Sequence, residues 1–300
     1  MYRPLRSAYR RPALRRTLSA LGAGLLLATA ACSSSTPSQP TTTTEAPPAE
    51  TTVRATPFAL PGSLAADFAE LQPSLGGRAS MSIMAVGGRG AADMGEWSPG
   101  PAWSTMKAPL ALAVLRTNGN TRTYQMTAAL TESDNLAADG LWQQLGTPDQ
   151  AAHAVQAVLR EGGDERTTVP ATPPRSQYSA FGQADWSLSD QVRWASRLPC
   201  LPDSDTVTAL MGQVVWGQQW GLGRLGDARF KGGWGPDPQG NYLVRQFGLL
   251  PTARGEVAIA IAAQASSGTF DDGVQILNRM TDLLTKHRDD LPAGRCPAGQ

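Results

Sequence analysis

The chain has 300 residues, 26 basic and 25 acidic, with 2 histidines, 3 cysteines and 41% hydrophobic residues, enough to bury the core of one or two domains. A net charge of +1 with no basic block after the first sixteen residues argues against nucleic acid as a partner. Two isolated histidines, His153 and His287, argue against a zinc hydrolase, so no metal and no cofactor is expected. Of the basic residues 23 are Arg and three are Lys: Lys107, Lys231 and Lys286. An ammonium can lose its proton on burial whereas a guanidinium keeps its charge, so a surviving lysine marks a place where arginine cannot substitute.

Six arginines between Arg3 and Arg16 precede an uncharged stretch, Leu18 to Ala31, that ends in small residues before Cys32. This pattern predicts a secretory signal peptide over 1–32; the stretch falls short of the ~20 residues that span a bilayer. Thr29-Ala30-Ala31-Cys32 resembles a bacterial lipoprotein box with threonine in place of leucine, which predicts lipidation of Cys32 and anchoring to a membrane. The alternative is ordinary cleavage, which leaves Cys32 an incidental thiol. Arg15-Arg16-Thr17-Leu18 also resembles a twin-arginine export signal. Residues 33–57 lack core-forming side chains and read as a disordered Ser/Thr/Pro-rich tether. Beyond Cys32 stand 20 basic and 25 acidic residues, a formal charge of −5.

The folded domain is expected over 58–300. Ser63 is placed to cap a short helix through Leu71, followed by strands at 79–86 and around 91–97. Helices are predicted at 104–117, 136–145, 149–161, 187–198 and 204–215; Ala151, Ala154, Val155, Val158 and Leu159 show the spacing. Strands follow at 228–234, 241–250 and 256–264, and then an amphipathic helix with Ile276, Leu277, Met280, Leu283 and Leu284 on one face. The expected class is α+β: one antiparallel sheet built from the two ends of the domain and flanked by helices, with a helical lobe of about 104–227 inserted between them. In an exported domain Cys200 and Cys296 read as a disulfide fastening the C-terminal tail to the end of a helix near Leu198, the alternative being two buried thiols. His153 reads as an exposed helix residue, His287 and Lys286 as helix-end cations, and Trp186, Trp194, Trp216 and Trp220 as packing.

Three short patterns carry chemistry. Ser104-Thr105-Met106-Lys107 opens a helix, where a spacing of three puts hydroxyl and amine on one face and the helix N-terminus favours developing negative charge. A partly desolvated amine can then act as base toward a serine nucleophile. Ser133-Asp134-Asn135 precedes a helix and taken alone reads as its cap. Lys231-Gly232-Gly233 lies in a strand, where paired glycines are costly unless another chain segment or a ligand approaches the backbone.

Their order, SxxK then SDN then K-x-G, resembles the serine β-lactamase and penicillin-binding protein superfamily over about residues 60–288. The resemblance implies Ser104 as the acylated nucleophile, Lys107 as its base, Ser133 as proton relay helped by Lys231, and Asn135 as the holder of the substrate's amide. It also implies an oxyanion hole from the N–H groups of Ser104 and Trp234, with Lys231 attracting a substrate carboxylate; Arg245 on the next strand is a candidate to assist there, although no motif fixes its position. Three departures mark a degenerate form of the class A pattern. Only about half the residues typical of class A stand between SxxK and SDN, which implies a trimmed helical lobe and a more open cleft. Gly232 stands where threonine is usual, removing a hydroxyl. The loop after Gly163-Asp164, ERTTVPATPPRSQYSAFGQADWS, has no Glu-x-x-Leu-Asn to activate a deacylating water, and Glu161 and Glu165 sit too near the preceding helix. An acyl-enzyme should therefore form more readily than it hydrolyses. Two functions follow: an exported serine hydrolase acting on a β-lactam or acyl-D-amino-acid amide near the cell wall, or a binding module that keeps the fold and holds a wall fragment or protein. A purely structural lipoprotein leaves the glycine pair unexplained.

Overall fold

The computed structural model describes residues 63–95 and 100–298. The expected signal segment, Cys32, the tether and the first residues of the domain lie outside them. Ser63 caps α1 (Leu64–Leu71) by accepting from the Ala66 N–H. β1 (Gly77–Ala85) and β2 (Ala92–Gly95) then pair antiparallel; residues 96 and 97 of the expected second strand lie outside the described residues. A two-residue strand, β3 (Gly100–Pro101), leads into a 3-10 turn over Trp103–Met106 and then α2 (Lys107–Thr117). The helix expected from 104 is therefore α-helical only from Lys107. α2 is buried from Lys107 through Leu115, as befits a helix apolar all round.

The short α3 (Tyr124–Thr127), not anticipated from the periodicity, runs into a π turn at Ala128–Glu132 and on to α4 (Asn135–Gln144). α5 (Pro148–Glu161) starts with a capping box in which Thr147 accepts from the Gln150 N–H and the Gln150 side chain accepts from the Thr147 N–H. After a long loop come β4 (Asp185–Trp186), paired with β3, then α6 (Leu188–Arg197) and α7 (Asp205–Met211). α7 ends at Gly212, short of the expected residue 215, because glycine and the following turn do not propagate a helix. The late strands are β5 (Arg229–Pro236), β6 (Tyr242–Thr252) and β7 (Gly255–Ala265), and α8 (Phe270–Lys286) closes the domain.

All five long strands form one antiparallel sheet in the order β2-β1-β7-β6-β5, the α+β architecture expected from the element order. Its centre is β7, whose alternation feeds two cores. Val257, Ile259, Ile261 and Ala263 pack with Phe68 of α1 and with Ile276, Leu277, Met280 and Leu284 of α8. Ala258, Ala260 and Ala262 face the other way, toward α2 and α6, and their small side chains leave room for Trp186, Trp194 and Phe247, whose rings meet edge to face at 5.7–5.9 Å.

Trp186 and Trp194 are thus packing residues, as expected, and Trp220 is partly buried. Trp216 is not: it is 88% exposed. Its segment is held by backbone and polar bonds, Val215 N–H to Thr131 O and Gln218 Nε2 to Glu132 O, rather than by burial of the ring. His153 is exposed on α5. His287 ends α8, and its buried ring meets Asp67 of α1 at 2.8 Å, with Lys286 paired to the same carboxylate.

Cys200, at the end of the turn after α6, is bonded to Cys296, 96 positions later, with Cα atoms 5.3 Å apart. The tail reaches it by pairing Gly294 with Glu256 of β7 through two backbone hydrogen bonds. A bridge over so long a loop stabilises by about 4 kcal/mol in the chain-entropy model. Replacing both cysteines by serine is expected to lower Tm by about 10 °C in a thermal scan under non-reducing conditions; an unchanged Tm would show that the tail needs no tether.

Candidate active site

β5 is an edge strand, and its glycines show what approaches it. A Cβ on Gly233 would stand 2.8 Å from Thr105 N, 2.9 Å from Ser104 N and 3.0 Å from Ala102 O, so the 3-10 turn lies directly on the strand backbone. One on Gly235 would stand 2.5 Å from the Trp103 ring. Gly232, on the opposite side, has the Trp220 ring 3.1 Å from its would-be Cβ. The paired glycines therefore serve approach from both sides of the strand, and a side chain at Gly232 would press on the Trp220 ring, which would have to give by a few tenths of an ångström.

The turn is held from below. Trp103, immediately before Ser104, has φ +49, a left-handed conformation costly for a bulky residue and characteristic of functional sites. Its ring meets Tyr178 edge to face at 5.1 Å and carries the Arg175 guanidinium at 5.3 Å. Arg245, opposite Gly233 on β6, donates to Gly100 O, Pro101 O, Trp186 O and Gln191 Oε1 at 2.8–3.1 Å. Gln191 in turn donates to Thr105 Oγ1 at 3.0 Å, and Thr105 Oγ1 donates to Ala102 O at 2.5 Å. Arg245 is 0% exposed. The expectation that it attracts a substrate carboxylate is thereby corrected: register puts its side chain under the turn, where every partner is a protein oxygen. Burial pushes its pKa down to about 9, which leaves it charged at neutral pH.

Two buried amines meet at Ser133. Lys231 Nζ donates to Ser133 Oγ at 2.9 Å and to Gly232 O at 2.9 Å. Lys107 Nζ donates to Ser133 O at 2.6 Å, Asn135 Oδ1 at 2.7 Å, Asp134 O at 3.2 Å and, more weakly, Ser133 Oγ at 3.4 Å. Ser133 itself is left-handed, φ 59, which turns its carbonyl and hydroxyl together toward the lysines. Asp134 also caps α4 through Ala137 N–H at 2.6 Å. The triplet is thus both a helix cap and a binding turn. Each lysine is 1% exposed, and among the described residues neither is paired with a carboxylate. Burial pushes Lys107 down to about 8, with Asp134 and Asp139 drawing it back up. Lys231 lies well below its ordinary value, by burial first and by the neighbouring charge of Lys107 second.

The expected pairing of Ser104 with Lys107 is not formed. Both border one cleft of about 460 Å³ together with Asn135 and Trp234, yet no hydrogen bond joins hydroxyl to amine, because the SDN turn supplies four better placed acceptors. The far wall is the 176–182 loop, contributing Ser176, Gln177, Tyr178 and Ser179. No glutamate from this loop reaches the cleft: Glu161 pairs with Arg116 at 3.0 Å, and Glu165 is exposed. Reading the sequence missed most of the lining, including Trp103, the loop residues, Tyr242 and Asp139. Tyr242 had no signal beyond its strand. Asp139 had one, standing four residues after Asn135 and so on the same face of α4; its Oδ1 accepts from Ser179 Oγ at 2.7 Å.

The fold is that of the class A β-lactamases. The TLA-3 extended-spectrum β-lactamase superposes with a TM-score of 0.62 at 15% identity, over 75% of this chain and 98% of its own. The chromosome-encoded β-lactamase of Vibrio parahaemolyticus gives 0.60 at 17% identity, over 76% and 100%. The class A β-lactamase from Mycobacterium abscessus gives 0.59 at 16% identity, over 76% and 100%. No protein-family model matches the sequence, and no curated protein matches it.

The two unpaired amines cost desolvation energy. Lys231→Met keeps the stem and removes one buried amine, and it is expected to raise Tm by about 2–4 °C, equivalent to about 1 kcal/mol. A thermal scan decides; a fall in Tm would mean that the bond to Ser133 outweighs desolvation.

Proposed function

We propose that the protein is an active-site-serine hydrolase that takes up the acyl group of a β-lactam or an acyl-D-amino-acid amide and releases it slowly. The observation that supports this most directly is that Lys107, which lines the cleft together with Ser104, meets Lys231 at Ser133. Neutral Lys107, swinging from the SDN turn, takes the proton of Ser104 as its oxygen attacks the amide carbonyl. The N–H groups of Ser104 and Trp234 stabilise the oxyanion, a geometry made possible by the close approach at Gly233. Ser133 accepts from both amines, so its own proton is free to pass to the leaving nitrogen. Asn135 keeps its amide N–H group for the substrate's side-chain carbonyl. With Gly232 bare and both Arg245 and Lys231 buried, a substrate carboxylate would reach Lys231 only through the Ser133 hydroxyl that it holds.

The same reading places the protein outside the cytoplasm, held to a membrane by lipidated Cys32 through the tether, with residues 58–300 as its working domain and 104–227 as the helical lobe inserted in the sheet lobe. The disulfide fits an oxidising compartment, and among the described residues no helix is long and apolar enough to cross a membrane. A second reading, a binding module on the same fold, is favoured by the lack, among the described residues, of a hydrogen bond between Lys107 and Ser104 and by the Trp220 ring standing against Gly232.

Mass spectrometry after incubation with a fluorescent penicillin separates the two. Persistent labelling of the wild type and none of Ser104→Ala is expected, and no labelling of either at high reagent concentration favours the binding module. Hydrolysis of a chromogenic cephalosporin at rates typical of resistance enzymes would overturn slow release. Because Lys107 must be neutral to accept the proton and its pKa is about 8, labelling should slow about tenfold per pH unit below pH 8 and level off above it. A flat profile in stopped-flow labelling would remove Lys107 as the base.

A further inference from the structure

A slow acyl-enzyme still needs something to activate the water that ends it, and the long loop offers no glutamate at the cleft. Among the described residues that border the cleft, Asp139 is the one carboxylic acid. It enters from α4 rather than from the loop, one helical turn beyond Asn135, and is half-buried. Ser179 Oγ donates to Oδ1 at 2.7 Å, which fixes the orientation of the carboxylate, and no described donor occupies Oδ2. The same carboxylate is close enough to Lys107 to act on its charge. It therefore stands on the acceptor side of the nucleophile's cleft with one oxygen anchored and one free, the arrangement required of a base that holds a water.

We infer that Asp139 is the deacylation base of this site, a role carried by a helix residue in place of a loop glutamate. The inference rests on the acyl-enzyme reading above. A water held by Oδ2 attacks the carbonyl carbon of the Ser104 ester as its proton passes to Oδ2. The tetrahedral intermediate then collapses, the bond from carbon to Ser104 Oγ breaks, and the proton returns from Asp139 to Oγ. One water is consumed, and a carboxylic acid and the free serine are formed. The anchoring bond to Ser179 also gives the loop a part in setting the rate, because it selects which carboxylate oxygen faces the ester.

The test follows the isolated acyl-enzyme, so that it does not depend on how fast each variant is acylated. Full-length protein is labelled with benzylpenicillin and freed of excess reagent, and the loss of the acyl mass is followed by mass spectrometry. Asp139→Asn keeps a carbonyl for Ser179 and should lengthen the acyl-enzyme lifetime about 100-fold. In Asp139→Ala, added formate should restore deacylation in proportion to its concentration, an effect that a merely structural carboxylate would not produce. An Asp139→Asn lifetime equal to wild type, or an Asp139→Ala acyl-enzyme indifferent to formate, overturns the assignment while leaving the acyl-enzyme reading intact. A wild type that is never acylated overturns both.

Discussion

The contact between the turn carrying Ser104 and the backbone of β5 sets the geometry of the cleft. Two backbones approach there to a distance that leaves no room for a side chain at Gly233. Everything that touches the turn is arranged to hold that approach. Trp103 accepts a left-handed conformation and lays its ring over Gly235. Arg245 gathers three carbonyls beneath it. The chain of bonds from Arg245 through Gln191 to Thr105 ends on the turn itself. A guanidinium so placed costs desolvation energy, and its fork of donors is what suits it to bridging several fixed oxygens at once.

The second constraint is electrostatic. Two lysines are buried beside one serine with no carboxylate paired to either among the described residues, an arrangement that ordinary folding would avoid. Their pKa values fall as a consequence, and an amine with a lowered pKa is useful for moving protons. The near absence of lysine elsewhere gains a physical sense from this. Arg245 shows the complementary case: it remains charged and holds several oxygens, which suits a guanidinium, whereas the two buried amines have lowered pKa values.

The reach of sequence reasoning can be followed residue by residue. The period-two run of β7 and the stripe on α8 are local patterns, so the strands, the terminal helix and their pairing into one sheet were legible, with strand ends displaced by one or two residues. The three short patterns were legible as well, because each depends on residues adjacent in the chain. The α3 segment and the π turn carried no clear period. Trp216 was misread because hydrophobicity says what a residue favours, while its neighbours decide whether it is covered.

The sequence by itself determined which residues could do chemistry: a serine and a lysine three apart, a capping triplet, a lysine beside two glycines, and two cysteines able to pair. Only the tertiary structure decided how they meet. It turned Lys107 toward the SDN turn instead of Ser104, since the amine follows the best placed acceptors rather than its nearest neighbour in sequence. It sealed Arg245 under the turn, since register on β6 fixes the side of the sheet to which a side chain points. It also brought Asp139 to the cleft wall, where the periodicity of α4 and the packing of a distant loop had to combine before its carboxylate could be bonded by Ser179.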